Sequence, residues 1–269
     1  MKEDRMPNSK GISIVVTTYN RRHRLPTLLE AFIQQSDLDF QLILVSDGST
    51  DGTDEFAKSL RLPFDFKFID TKFRGYGLAI ARNLGILNAD KSYVAVLDDD
   101  SIPHFDYIKN LKDIVSSDYI VAGPRYPANG VKDSRLQEKM ERFKQLKPGF
   151  KYKINELLEM HIPLIENNIC MSKKNWIENG LFSERIKLYG IIGQEFFARM
   201  RYRGISYVFY WDIVIFHHSD WCNDGSIKSR KKKIHAYFAR RLRKFLKKKK
   251  FFDKQIEWAK TTANELDLK

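Results

Sequence analysis

Val94-Ala95-Val96-Leu97-Asp98-Asp99-Asp100 is the stretch that decides the fold of this chain. Four apolar residues run directly into three carboxylates. A short apolar run with polar boundaries reads as a strand buried on both faces. Three adjacent carboxylates repel one another and sit together only in solvent, beside a cation, or both. In open α/β sheets, ligands bind beyond the carboxyl ends of the strands. Strand and acids together point to a hard divalent cation, Mg2+ or Mn2+. Such an ion keeps waters and divides its coordination between one or two carboxylates and substrate phosphates. An acidic surface loop is the alternative reading of the same residues.

Working outward, the amino-terminal half repeats this pattern. Ile12 to Asn20 is a β-branched run with a polar end. Pro26 to Gln35 has helical periodicity through Leu28, Leu29, Phe32 and Ile33. Phe40 to Val45 reads as a second buried strand, ending in Ser46-Asp47-Gly48-Ser49. Thr53 is expected to cap a short helix through Leu60, with Glu55 in its first turn. Phe64 to Ile69 is a third strand, Leu78 to Ala89 a helix, and Tyr93 to Leu97 a fourth strand. Strands alternating with helices predict a parallel α/β sheet covered on both faces, with its polar clusters along one edge.

Four motifs, in order, carry a resemblance: Val15-Val16-Thr17-Thr18-Tyr19-Asn20-Arg21, Val45 to Thr53, Ala81-Arg82-Asn83-Leu84-Gly85-Ile86 and Leu97-Asp98-Asp99-Asp100. Together they resemble family 2 glycosyltransferases of the GT-A fold over about the first 125 residues, and more loosely to His218. The resemblance implies a mostly parallel sheet flanked by helices. It also implies an inverting, metal-dependent transfer of sugar from a nucleotide donor, UDP-sugar being favoured over GDP or dTDP. The expected organisation is a catalytic domain over residues 11–227 and a basic helical tail over 228–269. Within the domain, residues 11–125 would bind the donor and 126–227 the acceptor.

The resemblance also assigns roles. Thr17 and Tyr19 stand where the first strand meets the nucleotide, and the Tyr19 ring could stack on the base. Asp47 matches the carboxylate that accepts the base N–H; an Asx turn with Gly48 and Ser49 is the competing role. Arg82 is expected to face the nucleotide, holding either the base-contacting carboxylate or phosphate in fork geometry, with a structural ion pair to Asp47 as the alternative. Asp98 or Asp99 should reach the ribose, and Asp100 the metal that bridges the phosphates. His217 and His218 follow the apolar run Ile213 to Phe216, where related enzymes place a histidine on the metal. Strand alternation lets at most one of them reach it.

An inverting mechanism needs a base for the acceptor hydroxyl. The segment Gly190-Ile191-Ile192-Gly193-Gln194-Glu195 to Arg199 resembles the family's Glu-Asp helix, but Gly193 stands where the family's aspartate base stands. Glu195 is the carboxylate left in that motif and is the expected base, with an i,i+4 pair to Arg199 as the alternative. Glu166 is the second candidate. Gly180-Leu181-Phe182-Ser183-Glu184 resembles a family turn whose acid is structural, and Pro124 to Met160 a variable insertion.

Charge is unevenly placed. The chain of 269 residues has a formal net charge of +13, and residues 228–269 alone hold 16 Lys/Arg against 4 Asp/Glu. The body is therefore nearly neutral, which argues against a nucleic-acid-binding domain. In the tail Ile234, Tyr237, Phe238, Leu242, Phe245 and Leu246 recur at helical spacing among basic residues, followed by Phe251-Phe252. Such a helix reads as an anionic-membrane contact, or as a helix packed on the body with its charges in water. A glycan or glycolipid acceptor and a cytoplasmic, membrane-peripheral location are the matching expectations. Met1 to Lys10 is polar and charged, unlike a signal peptide. No apolar stretch is long enough to span a bilayer. Cys170 and Cys222 have neither metal-ligand nor disulfide spacing. The rival readings are a sugar-nucleotide-forming nucleotidyltransferase, which the Thr17-Thr18-Tyr19-Asn20 loop argues against, and a basic nucleic-acid binder that works through the tail.

Overall fold

The computed structural model describes residues 10–73, 75–128, 134–187, 191–218 and 249–267. Its centre is an eight-stranded sheet. β1 (Ile12–Thr18), β2 (Gln41–Ser46), β3 (Asp65–Asp70) and β4 (Tyr93–Asp98) run parallel, in the spatial order β3-β2-β1-β4. Helices α1 (Leu25–Ile33), α2 (Thr53–Ser59) and α3 (Leu78–Leu87) make the crossovers. β9 (Asn168–Ser172) then joins β4 antiparallel and links it to β6 (Tyr119–Ala122). β10 (Ser206–Phe209) and β8 (Lys151–Lys153) complete that side. The sheet is thus mixed rather than wholly parallel, and β4 lies inside it, with a strand on either side.

Alternation divides the core between the two faces. Val15, Ile43, Val45, Val94 and Val96 face α3, together with α7 (Lys173–Glu178) and α8 (Ile192–Tyr202). Ile14, Val16, Leu42, Leu44, Ala95 and Leu97 face α1 and α4 (Tyr107–Ile114). Burying each such side chain stabilises the fold by roughly 1.5–3 kcal/mol. Gly85 lets α3 lie directly on β1, because a Cβ there would come within 3.0 Å of Val15 Cγ2.

Two local expectations shift. Gly52, with φ +80°, takes the N-cap position of α2, and Thr53 is its first residue. Asp51 does the capping by accepting from Thr53 N–H and Oγ1. Ile213 lies outside its predicted strand, since β11 covers only Ile215–His217. β11 forms a second, three-stranded sheet between β5 (Ser101–Pro103) and β7 (Arg125–Pro127).

In the segment between the sheets, α5 (Ser134–Phe143) and α6 (Ile154–Glu159) supply Met140, Phe143, Ile154 and Leu157 to the core. The tail stripe Ile234 to Leu246 lies outside the described residues. The helix that follows, α9 (Lys249–Asp267), packs on the body beside α7. Its Phe251, Phe252, Ile256, Ala259 and Ala263 are buried, and Gln255 Nε2 donates to the carbonyl of Gly180 at 2.9 Å. The expectation that Phe251-Phe252 ends a membrane-facing stripe is corrected: both rings are buried against the enzyme. No helix among the described residues is long and apolar enough to cross a membrane.

Candidate active site

Sheet register gathers the site. Thr17 pairs with Val45 on one side and with Asp98 on the other, so the carboxyl ends of three central strands lie level. Thr17, Asp47 and Asp98 point to the α3 face, following Val15, Val45 and Val96. Thr18 and Asp99 lie on the opposite face, where Thr18 Oγ1 donates to Asp99 Oδ2 at 2.8 Å.

On the α3 face, Asp47 is buried, with Oδ2 accepting from Gly77 N–H at 2.9 Å. Its Oδ1 is buried with no hydrogen-bond partner, and Thr17 Oγ1 is in the same condition. Orphaned buried polar atoms are costly and call for a partner. Burial raises the Asp47 pKa above its ordinary value, against the opposing pull of Gly77 N–H, Lys187 and Thr71. Gly77 is required here: a Cβ would lie 2.8 Å from the Phe73 ring and closer still to Asp47 Oδ1. Tyr19, two residues on from Thr17, is 52% exposed.

Arg82 does not hold Asp47. It reaches from α3 to Asp98, with Nη2 donating to Oδ1 at 2.8 Å, and its Nη1 lies 3.8 Å from Glu166 Oε1. Its guanidinium stacks over Phe182 at 5.0 Å. Asn167 Nδ2 donates to the other Asp98 oxygen at 2.7 Å. The neighbouring Asn83 fastens α3 to the 180–184 turn through Phe182 and Glu184, so Glu184 has the structural role expected of it.

The three carboxylates are not equivalent. Asp98 is 26% exposed. Asp99 is 2% exposed and clamped between Thr18 and Arg21, whose Nη1 lies 2.8 Å from it. Burial raises the pKa of Asp99, with Arg21 and Thr18 opposing. Asp100 meets Arg125 at 3.1 Å, His217 Nε2 at 3.5 Å, Arg24 at 3.6 Å and Arg21 at 3.7 Å. Burial would raise Asp100, but His217, Arg125 and Arg21 outweigh it and hold its pKa below the ordinary value.

The β5–β11 register explains the histidine. It sets His217 opposite Ser101, next to Asp100, with its ring toward that carboxylate. His218 is exposed, and its backbone N–H donates to the Asp100 carbonyl. Of the two histidines expected at a metal, His217 is therefore the one facing Asp100. The groups here that could hold a divalent ion are Asp100 and His217, and three arginines crowd the same carboxylate. Asp100 Oδ2 and His217 Nε2 converge, and His217 Nδ1 is buried with no hydrogen-bond partner. Among the described residues, no group of three or more His, Cys, Asp or Glu is arranged to hold a metal, so phosphates and water would fill the remaining positions.

Glu195 is sealed from solvent. It and Arg199 are both 0% exposed, and Arg199 Nε and Nη2 donate to its two oxygens at 2.8 and 3.0 Å. Arg199 also donates to the carbonyls of Asn179 and Leu181. The i,i+4 alternative describes this carboxylate, and both its oxygens are committed to holding α8 against the 179–182 turn. Glu166, by contrast, is 26% exposed and shares Arg82 with Asp98. Sequence reasoning missed Thr18, Arg21, Arg24 and Arg125 as partners of the acids. Thr18 and Arg21 sit in a quoted motif, whereas Arg125 reaches Asp100 only through the second sheet, a long-range pairing without local signal.

The model of glycosyl transferase family 2 matches residues 13–183. The chain is 34% identical over 118 residues to a chondroitin synthase of Escherichia coli, covering 43% of this chain and 17% of that protein. It is 28% identical over 120 residues to a hyaluronan synthase of Pasteurella multocida, covering 43% of this chain and 12% of that protein. The chain thus spans less than a fifth of the length of these curated relatives. Among solved structures, TarS 1–349 of S. aureus in complex with UDP-GlcNAc superposes with a TM-score of 0.64 at 18% identity, over 80% of this chain and 60% of that one. The complex of TarS 1–349 with UDP gives 0.62 at 19% identity, over 76% and 59%.

Proposed function

The chain belongs to glycosyl transferase family 2, and from that premise we propose that it transfers a sugar from a UDP-sugar to an acceptor hydroxyl, with inversion and with help from a divalent cation. The observation that carries the donor reading is the buried, unpartnered pair Asp47 Oδ1 and Thr17 Oγ1, with the exposed Tyr19 two residues on from Thr17. A uracil N3–H would supply the donor that Asp47 Oδ1 lacks, and the Tyr19 ring would give the base a stacking face. The TarS complexes with UDP and UDP-GlcNAc favour uridine and make UDP-GlcNAc the first donor to try.

Each remaining part of the donor meets a matching group. Asp98, the exposed member of the acidic run, accepts ribose hydroxyls; Arg82 and Asn167 fix its orientation. Asp99 is a scaffold that keeps Arg21 in place. Asp100 and His217 would hold Mn2+ or Mg2+. When bound, that ion neutralises charge on the departing nucleoside diphosphate as a Lewis acid. Arg21, Arg24 and Arg125 crowd the same spot and can turn to the phosphates, where preorganised cations stabilise developing charge. The acceptor hydroxyl attacks the anomeric carbon from the side opposite the diphosphate. A glycan acceptor is the class that the named relatives, a chondroitin synthase and a hyaluronan synthase, suggest.

Melting with ligand tests the donor reading, because a ligand that binds only the folded state stabilises by about 2.7 kcal/mol at 100 times its Kd. UDP with Mn2+ should raise the melting temperature more than GDP or dTDP with Mn2+. Equal shifts for all three, or none, would remove the uridine assignment.

A further inference from the structure

Resting on the transfer reading above, we propose that Glu166 is the general base, and that Gly193 is the residue that makes room for it. Gly193 is the second residue of α8. A Cβ built on it would lie 2.9 Å from Glu166 Oε1, and closer to Oε2 and Cδ. The Glu166 carboxylate therefore occupies the volume that any side chain at 193 would claim. The space that this glycine leaves is filled by an acid from another segment.

Position and partners suit the role. The other carboxylates at this end of the sheet are each hydrogen-bonded: Asp47 by Gly77, Asp98 by Arg82 and Asn167, Asp99 by Thr18 and Arg21, Asp100 by Arg125. Glu195 is sealed against Arg199. Glu166 has Arg82 at 3.8 Å, beyond hydrogen-bond length, and keeps 26% of its side chain exposed. One guanidinium separates it from Asp98, the residue assigned to the ribose, so its carboxylate borders the donor site and reaches solvent. In the step, the acceptor oxygen forms its bond to the anomeric carbon while its proton passes to a Glu166 oxygen. The bond from that carbon to the diphosphate breaks, and its electron pair leaves with UDP. Arg82 stays paired with Asp98 throughout.

The test uses the full chain with Mn2+ and UDP-GlcNAc or another UDP-sugar that it turns over, reading UDP release and UDP affinity side by side. E166Q should lower kcat by about 10²-fold or more, the size of a lost general base, with UDP affinity, donor KM and melting temperature near wild type. E166A/G193D returns a carboxylate to the vacated volume from α8, and should recover kcat at least about tenfold over E166A. If E166Q keeps kcat within about threefold of wild type, or loses donor affinity in place of kcat, the base assignment is overturned while the transferase reading stands. Wild-type protein that neither binds UDP nor releases it from any UDP-sugar overturns the reading and this inference together.

Discussion

Arg82, 1% exposed, and Asp98, 26% exposed, meet at 2.8 Å across the gap between α3 and the end of β4. This pair ties α3 to the strand that carries the acidic run. A buried guanidinium is orienting a half-open carboxylate, and the second carboxylate on that guanidinium is Glu166.

Removing the guanidinium tests that arrangement. Breaking a buried ion pair costs about 3–5 kcal/mol, and the partial exposure of Asp98 puts Arg82→Ala near the lower end. The variant should unfold at lower denaturant and bind UDP more weakly. Wild-type stability together with wild-type UDP affinity would show that the pair orients nothing.

Glu195→Gln separates a structural acid from a catalytic one. With both partners sealed, its effect should fall on stability, about 3–5 kcal/mol, while kcat of the protein that remains folded stays near wild type. A normal melt with turnover reduced about 10²-fold would return Glu195 to the role of base.

Asp47 gives a pH signature. Its folded pKa is raised by burial, so its contribution to stability is present below the unfolded value and is lost as pH rises through the folded one. At neutral pH the buried charge is a cost, and Asp47→Asn should melt no lower than wild type there. Uracil needs the ionised form. UDP affinity should therefore decline as pH falls from 7 toward the raised value, and the decline should vanish in Asp47→Asn, which binds weakly throughout. A pH-independent UDP affinity in the wild type would contradict the assignment.

The carboxyl-terminal helix is expected to be part of the folded body. Phe252 is 5% exposed and its ring lies 5.5 Å from that of Tyr202. Phe252→Ala should cost about 3–5 kcal/mol, read as a fall in denaturation midpoint. A change under about 0.5 kcal/mol, the scale of surface substitutions, would show that the helix is not docked in solution.

Local features of this site were readable in the sequence because they end strands. Asp47, Asp98 and Thr17 follow apolar runs, and a parallel sheet necessarily brings such ends to one edge. Arg82 was readable as a residue facing that edge, but its partner was not, since the choice between Asp47 and Asp98 depends on how far α3 slides along β1. His217 was separable from His218 only through the β5–β11 register. The role of Glu195 turned on burial, which an isolated helix motif does not reveal: one spacing serves a sealed ion pair and an exposed base alike. Glu166 and Gly193 are 27 positions apart in the chain, and their sharing of one volume is a property of the packed state alone.

The most direct measurement of the central claim is release of nucleoside diphosphate from a panel of UDP-, GDP- and dTDP-sugars with Mn2+, in wild type and in Asp100→Asn. Release of UDP from a UDP-sugar is expected, with little release from the GDP and dTDP donors and loss of release in Asp100→Asn and in excess EDTA. Equal release from all three nucleotides, or full activity in EDTA with Asp100→Asn unimpaired, would contradict that claim.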